Sequence, residues 1–235
     1  MSRLALACLL VAVGSVGAAE PDADPLSGKL ELGYLATSGN TETSSLNGKL
    51  GLVHEVRKWR HSLDAAVVQA EDSGVTTAER YQLGAKSDYK FNESDYLFIT
   101  VNWEQDRFAG FEQRTSEAVG YGRRILKSER HDLDAELGAG ARQTTPVLGP
   151  DVNESILRAA AKYQWRIAEG ATFDQKLVVE SGESNTYMES VSALAAKLIG
   201  SWSMKFSYTI KHNSDVAVGL EKTDSYTAVG IEYGF

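Results

Sequence analysis

The chain contains little cysteine and little proline. Cys8 is the only cysteine among 235 residues, and the sequence has four prolines. Cys8 lies in an apolar run at residues 4–13, so a chain that loses this run contains no thiol. Disulfide bonds and thiolate metal sites are thereby excluded from the rest of the protein. Proline interrupts strand ladders, and its scarcity favours a protein built from long strands.

Long hydrophobic runs and an excess of basic charge are absent as well. No stretch of 18 consecutive apolar residues occurs, which argues against a transmembrane helix. Acidic residues outnumber basic residues by 32 to 24, and the formal net charge is −8. This balance disfavours nucleic acid as a partner, because surfaces that bind nucleic acid are basic.

The N terminus has the layout of a secretory signal peptide. Arg3 precedes the apolar residues 4–13, and the small residues Gly17 and Ala19 follow them. We predict a signal peptide at residues 1–19, a short periplasmic segment at 20–27 and a single barrel domain at 28–235. Without Arg3 the exported chain would carry a net charge of −9. A lipoprotein is disfavoured, because Cys8 comes too early in the chain.

The last nine residues alternate between two kinds of side chain. Thr227, Val229, Ile231, Tyr233 and Phe235 fall on one face of an extended strand, and small or charged residues fall on the other. The closing strand of a bacterial outer-membrane barrel has this pattern, with lipid outside and a wet lumen inside. An amphipathic last strand of a soluble sheet is the alternative.

The same alternation divides the exported chain into about twelve stretches of roughly ten to fifteen residues. An even number of strands can close into a barrel, in which no strand edge is left unpaired. The fold class predicted is therefore all-β, an antiparallel transmembrane barrel of about twelve strands. A soluble periplasmic barrel is the alternative fold.

The connections and the aromatic residues support this fold. Short connections at 57–60, 92–95, 127–130, 168–170 and 200–201 are predicted to alternate with longer ones at 71–79, 105–112, 144–154 and 213–222. Outer-membrane barrels have short periplasmic turns and longer external loops. Two aromatic girdles at the membrane interfaces are also predicted. The girdle near the short turns would comprise Trp59, Tyr89, Phe91, Tyr163, Trp165, Phe173, Trp202, Tyr233 and Phe235, and the other Trp103, Phe108, Phe111 and Tyr187.

Three neighbouring strands are predicted to direct a ladder of charges into the lumen. Its members are Asp132, Asp134, Glu136, Arg158, Lys162, Arg166, Asp174, Lys176 and Glu180. In one interpretation the acidic and basic rows neutralise each other across strands and have a structural role only. In the other they create a transverse field that selects charged or zwitterionic solutes.

Enzyme chemistry finds little support in the sequence, and no metal or cofactor is predicted. The histidines His54, His61, His131 and His212 are not spaced to converge on one strand face. A lipid hydrolase would need a serine and a histidine near the lipid face, but no Gly-x-Ser-x-Gly motif singles out a serine. The glycine-rich residues 138–141 lack the helix of a dinucleotide-binding loop, which indicates strand packing.

Two segments carry a family resemblance that extends over essentially the whole exported chain. They are the first hairpin, LGYLATSGNTETS at residues 32–44, and the terminal VGIEYGF at residues 229–235. With these segments the chain resembles the family described as salt-induced outer membrane proteins, a domain of unknown function. The resemblance implies an outer-membrane location, a barrel fold and a link to salt stress, and it transfers no catalytic motif.

The sequence as a whole predicts a passive pore for small solutes. A non-conducting structural barrel of the envelope is the alternative, and an outer-membrane hydrolase is the third hypothesis. The expected partners are outer-membrane lipid, lipopolysaccharide and the barrel-assembly machinery. The machinery would recognise the C-terminal strand through Val229, Ile231, Tyr233 and Phe235.

Overall fold

The computed structural model describes residues 26–37, 43–217 and 219–235. The predicted signal peptide, most of the predicted periplasmic segment and the Ser38-Gly39-Asn40 turn lie outside the described residues. Within the described part of the chain, no helix has the length and apolar character needed to cross a bilayer.

The described residues form twelve strands and one turn of 3-10 helix at Arg107–Ala109. The strands are β1 (Leu26–Thr37), β2 (Thr43–Val56), β3 (Trp59–Asp72), β4 (Val75–Lys90), β5 (Asp95–Asp106), β6 (Phe111–Lys127), β7 (His131–Pro146), β8 (Val152–Ala168), β9 (Ala171–Ser181), β10 (Thr186–Ile199), β11 (Trp202–Asn213) and β12 (Thr223–Gly234). Each strand pairs antiparallel with its neighbours in the chain, and β1 pairs with β12, so the sheet closes into a barrel. The predicted fold class and strand number are confirmed.

The closing seam is short. Four residue pairs join β1 to β12, from Lys29 opposite Gly234 to Leu32 opposite Ile231. The terminal residue extends the seam, since the Phe235 amide donates to the Gly28 carbonyl at 3.0 Å and the Gly28 amide donates to the Phe235 carbonyl at 2.8 Å. The last residue of the chain is thus part of the barrel wall.

The two faces of the wall have opposite chemistry. Large apolar side chains on the outer face are exposed, among them Val119 (58%), Leu157 (70%) and Val229 (56%). Charged side chains on the inner face are buried, and Asp88 and Arg142 are each only 1% exposed. A soluble barrel would have the reverse arrangement, whereas this one is expected of a barrel with a lipid-facing exterior.

The connections follow the predicted alternation only in part, since the connection at 107–110 has four residues, no more than the short connection at 91–94. The short connections have two to four residues, and the longest connection, 214–222 between β11 and β12, lies at the opposite end. The predicted long connection at 71–79 is wrong, because β3 and β4 continue to a two-residue turn at Ser73 and Gly74. Both residues have positive φ, 51° and 76°, as in the tight turns that suit the twist of a hairpin. The polar side chains at 71–79, apart from the turn, therefore belong to β3 and β4 and not to a loop.

The aromatic girdle near the short turns is present, and the second girdle is smaller than predicted. Trp59 packs on Tyr89 with ring centroids 5.1 Å apart, and Trp202 packs on Tyr233 at 4.8 Å. Tyr187 and Phe111 were predicted for the second girdle, but both are buried, with their rings against the inward-facing Arg114. Alternation explains Tyr187, because its neighbour Met188 faces outward.

Two aromatic rings fill part of the lumen at the short-turn end. Tyr96 and Phe98 of β5 point inward and form a buried cluster with Ala118 of β6. The Tyr96 ring lies over Gly122, where a methyl group would collide with it, and Phe98 lies against Gly138 of β7. Residues 138–141 are therefore part of a packed strand, as predicted.

Candidate functional site

The lumen is the candidate functional site, because it brings together charged side chains from all twelve strands. The nine residues of the predicted ladder lie on the inner face of β7, β8 and β9. In the strand register Asp134 faces Lys162, Lys162 faces Lys176, and Arg158 faces Glu180. The ladder residues nevertheless belong to three different environments.

The first environment is a vestibule at the short-turn end, a cavity of about 350 Å³. Its lining comprises Arg60, Arg124, Lys127, Ser128, Asp132, Asp134, Lys162, Gln164 and Arg166. Five of these side chains are basic and two are acidic. Asp132 pairs with Arg166 at 2.6 Å, and Asp134 pairs with Arg124 at 3.2 Å rather than with the facing Lys162. The vestibule thus has an excess of positive charge.

The second environment is a network around Glu136 between the vestibule and the middle of the barrel. Glu136 accepts from Lys86 at 2.7 Å and from Arg158 at 3.0 Å, and the Tyr96 hydroxyl also donates to it at 3.0 Å. Lys86 in turn lies 2.5 Å from the buried Asp88. Because these residues come from β4, β5, β7 and β8, the network ties one wall of the barrel together across its inner surface.

The third environment is a main cavity of about 370 Å³ in the middle of the barrel. Six basic and six acidic side chains line it, so that its formal charge balances: Lys29, Lys49, Arg114, Arg158, Lys176 and Lys205 against Glu31, Asp64, Glu104, Glu180, Glu189 and Glu232. Lys176 of the ladder pairs here with Glu189 at 3.7 Å. Asp174 of the ladder accepts a hydrogen bond at 2.9 Å from Gln164, which lines the vestibule.

One ion pair and one hydrogen bond also cross the lumen, and each involves a residue that lines the main cavity. Lys211 of β11 donates to Glu104 of β5, and these strands are six positions apart in either direction around the barrel. The two side chains therefore meet from opposite walls. Arg114 of β6 makes a second long contact, donating to the Asn213 side chain of β11 at 3.1 Å. We refer to these two contacts as the cross-lumen bridge.

The loop between β9 and β10, residues 182–185, forms a cap at the long-loop end of the lumen. Arg142 of β7 is buried beneath it and binds Glu154 at 2.6 Å, with Glu180 at 3.9 Å and the Asn185 carbonyl as further acceptors. The Asn185 amide donates to Asn213 at 2.9 Å, which joins the cap to the cross-lumen bridge. The long-loop end of the lumen is consequently crossed by a connected polar network, which we call the loop-end network.

Two glutamates that face each other at the seam are neutralised by two lysines. Glu31 and Glu232 face each other across β1 and β12. Lys205 of β11 lies 2.9 Å from Glu31 and 2.8 Å from Glu232, and Lys29 lies 3.0 Å from Glu232. Two cations therefore balance the two carboxylates where the barrel closes.

The outer face contains a serine–histidine contact that bears on the hydrolase hypothesis. The Ser87 hydroxyl lies 2.9 Å from His61 Nδ1, and His61 stacks on Trp59. His54 faces His61 on the neighbouring strand, a proximity that spacing along one strand does not reveal. Among the described residues no carboxylate or amide side chain hydrogen-bonds to His61, so the orienting member of a catalytic triad is missing. Across the residues that the structure describes, no group of three or more histidine, cysteine, aspartate or glutamate side chains could hold a metal ion.

The residues of the predicted assembly signal lie on the outer face of β12. Val229, Ile231 and Phe235 are exposed, and Phe235 stacks on Tyr233 with centroids 6.1 Å apart. Sequence reasoning missed Glu104, Lys211 and Arg142. Alternation places all three on the inner face, but nothing in the sequence indicates which opposite wall each would reach.

The fold and the lumen define this molecule as a closed twelve-stranded antiparallel barrel with an apolar exterior and a charged interior. The chain belongs to the family of proteins of unknown function DUF481, whose model matches residues 30–235. The family resemblance found in the sequence is thereby confirmed, although the family description does not mention salt. The uncharacterized protein YdiY of Escherichia coli strain K12 is 29% identical over 210 residues, which cover 89% of this chain and 83% of that protein.

Two solved structures of outer-membrane proteins have a similar fold. The NanC porin aligns with a TM-score of 0.56 and 10% identity, over 88% of this chain and 98% of its own. An outer membrane channel from Pseudomonas putida F1 aligns with a TM-score of 0.52 and 11% identity, over 95% of this chain and 99% of its own. At these identities the likeness extends to the fold alone.

Proposed function

We propose that the protein is a passive outer-membrane channel for small charged solutes. The observation that supports this most directly is the main cavity, a space of about 370 Å³ inside the barrel whose lining includes twelve charged side chains. A barrel needing only to be stable could fill this space with apolar side chains, which require no ion pairing. Charged groups around a narrow cavity instead favour solutes that carry charge themselves.

The proposed location follows from the inverted faces of the wall. An apolar outer surface needs lipid, and the aromatic girdle at the short-turn end would lie at the membrane interface. The short turns would face the periplasm, and the longer loops would contact lipopolysaccharide. Export would use the predicted signal peptide at residues 1–19, and cell fractionation of the full-length protein tests the location.

The barrel-assembly machinery is the proposed partner of the C-terminal strand. Val229, Ile231 and Phe235 present apolar side chains outward, and Phe235 also completes the seam through its backbone. Deletion of Phe235 is expected to lower the amount of folded protein in the outer membrane. Deletion of one residue from the 214–222 loop is the matched control and is expected to leave that amount unchanged, as loops tolerate such changes.

The cross-lumen bridge is the element expected to limit conduction. Lys211 and Glu104 meet from opposite walls, so a solute has to pass beside this contact. The wild-type channel should therefore have a small conductance. Replacement of both residues, Glu104→Ser with Lys211→Ser, removes the contact and keeps a polar lining.

Single-channel recording in planar bilayers tests the proposal. We expect small conductance steps from the wild-type protein and steps several-fold larger from the double variant. The control is Asp95→Ser with Arg123→Ser, which removes an ion pair on the outer face and alters no residue of the lumen, and should change the conductance little. If neither the wild-type protein nor the double variant conducts, the channel is refuted.

A non-conducting structural barrel is the second candidate, and the loop-end network favours it. Ion pairs and hydrogen bonds that join opposite walls stabilise the cylinder whether or not a path remains beside them. In that case deletion of the gene should make the envelope sensitive to salt or osmotic stress, and the double variant lacking the bridge should restore resistance poorly. A channel predicts the opposite, since the widened variant would still transport.

A further inference from the structure

The vestibule contains positive charge that its own carboxylates do not balance. The chain as a whole is acidic, with 32 acidic and 24 basic residues, yet the vestibule lining has five basic and two acidic side chains. The excess is therefore a local feature that opposes the overall charge of the molecule.

The carboxylates of the vestibule are already engaged by arginine. Asp132 is held by Arg166, and Asp134 lies between Arg124 at 3.2 Å and Arg60 at 3.9 Å. Arg60 is also bound by Asp88 at 2.7 Å, behind the lining. Even when Asp88 is included among the carboxylates of the vestibule, Lys127 and Lys162 form no ion pair among the described residues.

A second observation concerns the strand register beside Lys162. Lys162 of β8 faces Lys176 of β9 on the inner face, and like charges directly opposite each other destabilise a sheet. Lys176 has a carboxylate partner only at 3.7 Å, in Glu189 of the next strand. Because Lys162 lines the vestibule and Lys176 lines the main cavity, the pair stands where the two spaces approach each other.

We propose that the vestibule is a binding site for small polyvalent anions of the phosphate and dicarboxylate class, and that Lys162 is the principal residue that binds the anion. Arg124 and Arg166 would offer N–H groups in the planar geometry that suits phosphate and carboxylate oxygens. Lys127 and Lys162 would supply compact charges that remain unneutralised in the free protein. A bound anion would also offset the repulsion between Lys162 and Lys176.

The site deepens the proposed function, and its role in permeation rests on that function. An anion held at the periplasmic mouth would raise the local concentration of the transported species, as charged mouths with low-dielectric walls do. Binding itself does not require conduction. The lining residues point into the barrel, so free anions have access to them, whereas lipid headgroups at the outer face do not.

Calorimetric titration of the refolded full-length protein with inorganic phosphate, in an uncharged sugar detergent, tests the site. We expect saturable binding by the wild-type protein and a Kd about tenfold higher for Lys162→Gln, the loss expected for one charge-assisted hydrogen bond. Lys162→Arg keeps the charge and should retain most of the affinity. Lys58→Gln changes the same charge in a turn at the same end but outside the lining, and should bind as the wild-type protein does.

Each outcome decides the proposal. Absence of phosphate binding to the wild-type protein, unchanged affinity in Lys162→Gln or an equal loss in Lys58→Gln would overturn it. Conductance without phosphate binding would refute the site and leave the channel. Phosphate binding without conductance would refute the channel and leave the site.

Discussion

The two ends of the lumen use the same types of residue in different ways. At the long-loop end, Arg142 is buried and contacts two glutamates, and the contacts of Lys211 and Arg114 reach the opposite wall. At the short-turn end, Arg166 and Asp132 are both partly exposed, and Lys162 is exposed without an ion pair among the described residues. Burial and the ratio of cations to carboxylates distinguish the two ends.

This difference separates stability from recognition. A buried charge with all its partners in place can hold walls together, but it has no capacity left for a ligand. An exposed cation without a partner adds little to stability, and an incoming anion can bind it without first displacing a carboxylate. The comparison therefore predicts large effects on unfolding at one end and effects on anions at the other.

The largest effect is expected at Arg142. Replacement by alanine leaves the Glu154 side chain without its ion-pair partner, whereas Glu180 keeps Arg158 at 3.8 Å. Removing one partner of a buried ion pair costs about 3–5 kcal/mol. The free energy of unfolding in urea, measured in detergent micelles, should fall by that amount. The control Arg123→Ala alters an exposed arginine 3.7 Å from Asp95 on the outer face and should cost under about 1 kcal/mol. Equal losses in the two variants would erase the proposed distinction between the ends.

The sequence predicted well which residues of each strand face outward and which face the lumen, because alternation is a local property. Val229, Ile231 and Tyr233 face outward as predicted, and the predicted ladder on β7, β8 and β9 lies on the inner face. The errors arose where a side chain was assigned by its nearness to a loop and not by the alternation of inward and outward residues along the strand. Tyr187 was assigned to a girdle because it lies near a loop, although alternation with Met188 places it inside.

Other features depend on the dimensions of the barrel. Glu104 and Lys211 are 107 positions apart, and they meet only because the diameter of the barrel lets two long side chains span it. Lys162 and Lys176 are opposite each other because of the register between β8 and β9, and a shift of one residue would separate them. Neither relation can be deduced from the spacing of residues along a single strand.

An intermediate effect is expected on the ion selectivity of the vestibule. In planar bilayers with a salt gradient, Lys162→Gln should lower the ratio of anion to cation permeability about twofold, because one uncompensated charge is removed from the mouth. The shift should disappear at high ionic strength, where the Debye length falls to about 3 Å at 1 M salt. Lys58→Gln provides the comparison, and a selectivity change of the same size there would assign the effect to charge at this end in general.

The smallest effect is expected on stability at the same residue, with the opposite sign from Arg142. Lys162→Gln removes a charge that faces Lys176, and it breaks no ion pair of the described residues. Opposed like charges in a sheet cost roughly 0.2–1 kcal/mol, so the free energy of unfolding should stay equal or rise within that range. Added phosphate should then stabilise the wild-type protein more than the variant, since a ligand that binds the folded state raises its stability. A clear loss of stability in Lys162→Gln without phosphate would mean that Lys162 belongs to the structural network, and the two ends would no longer differ.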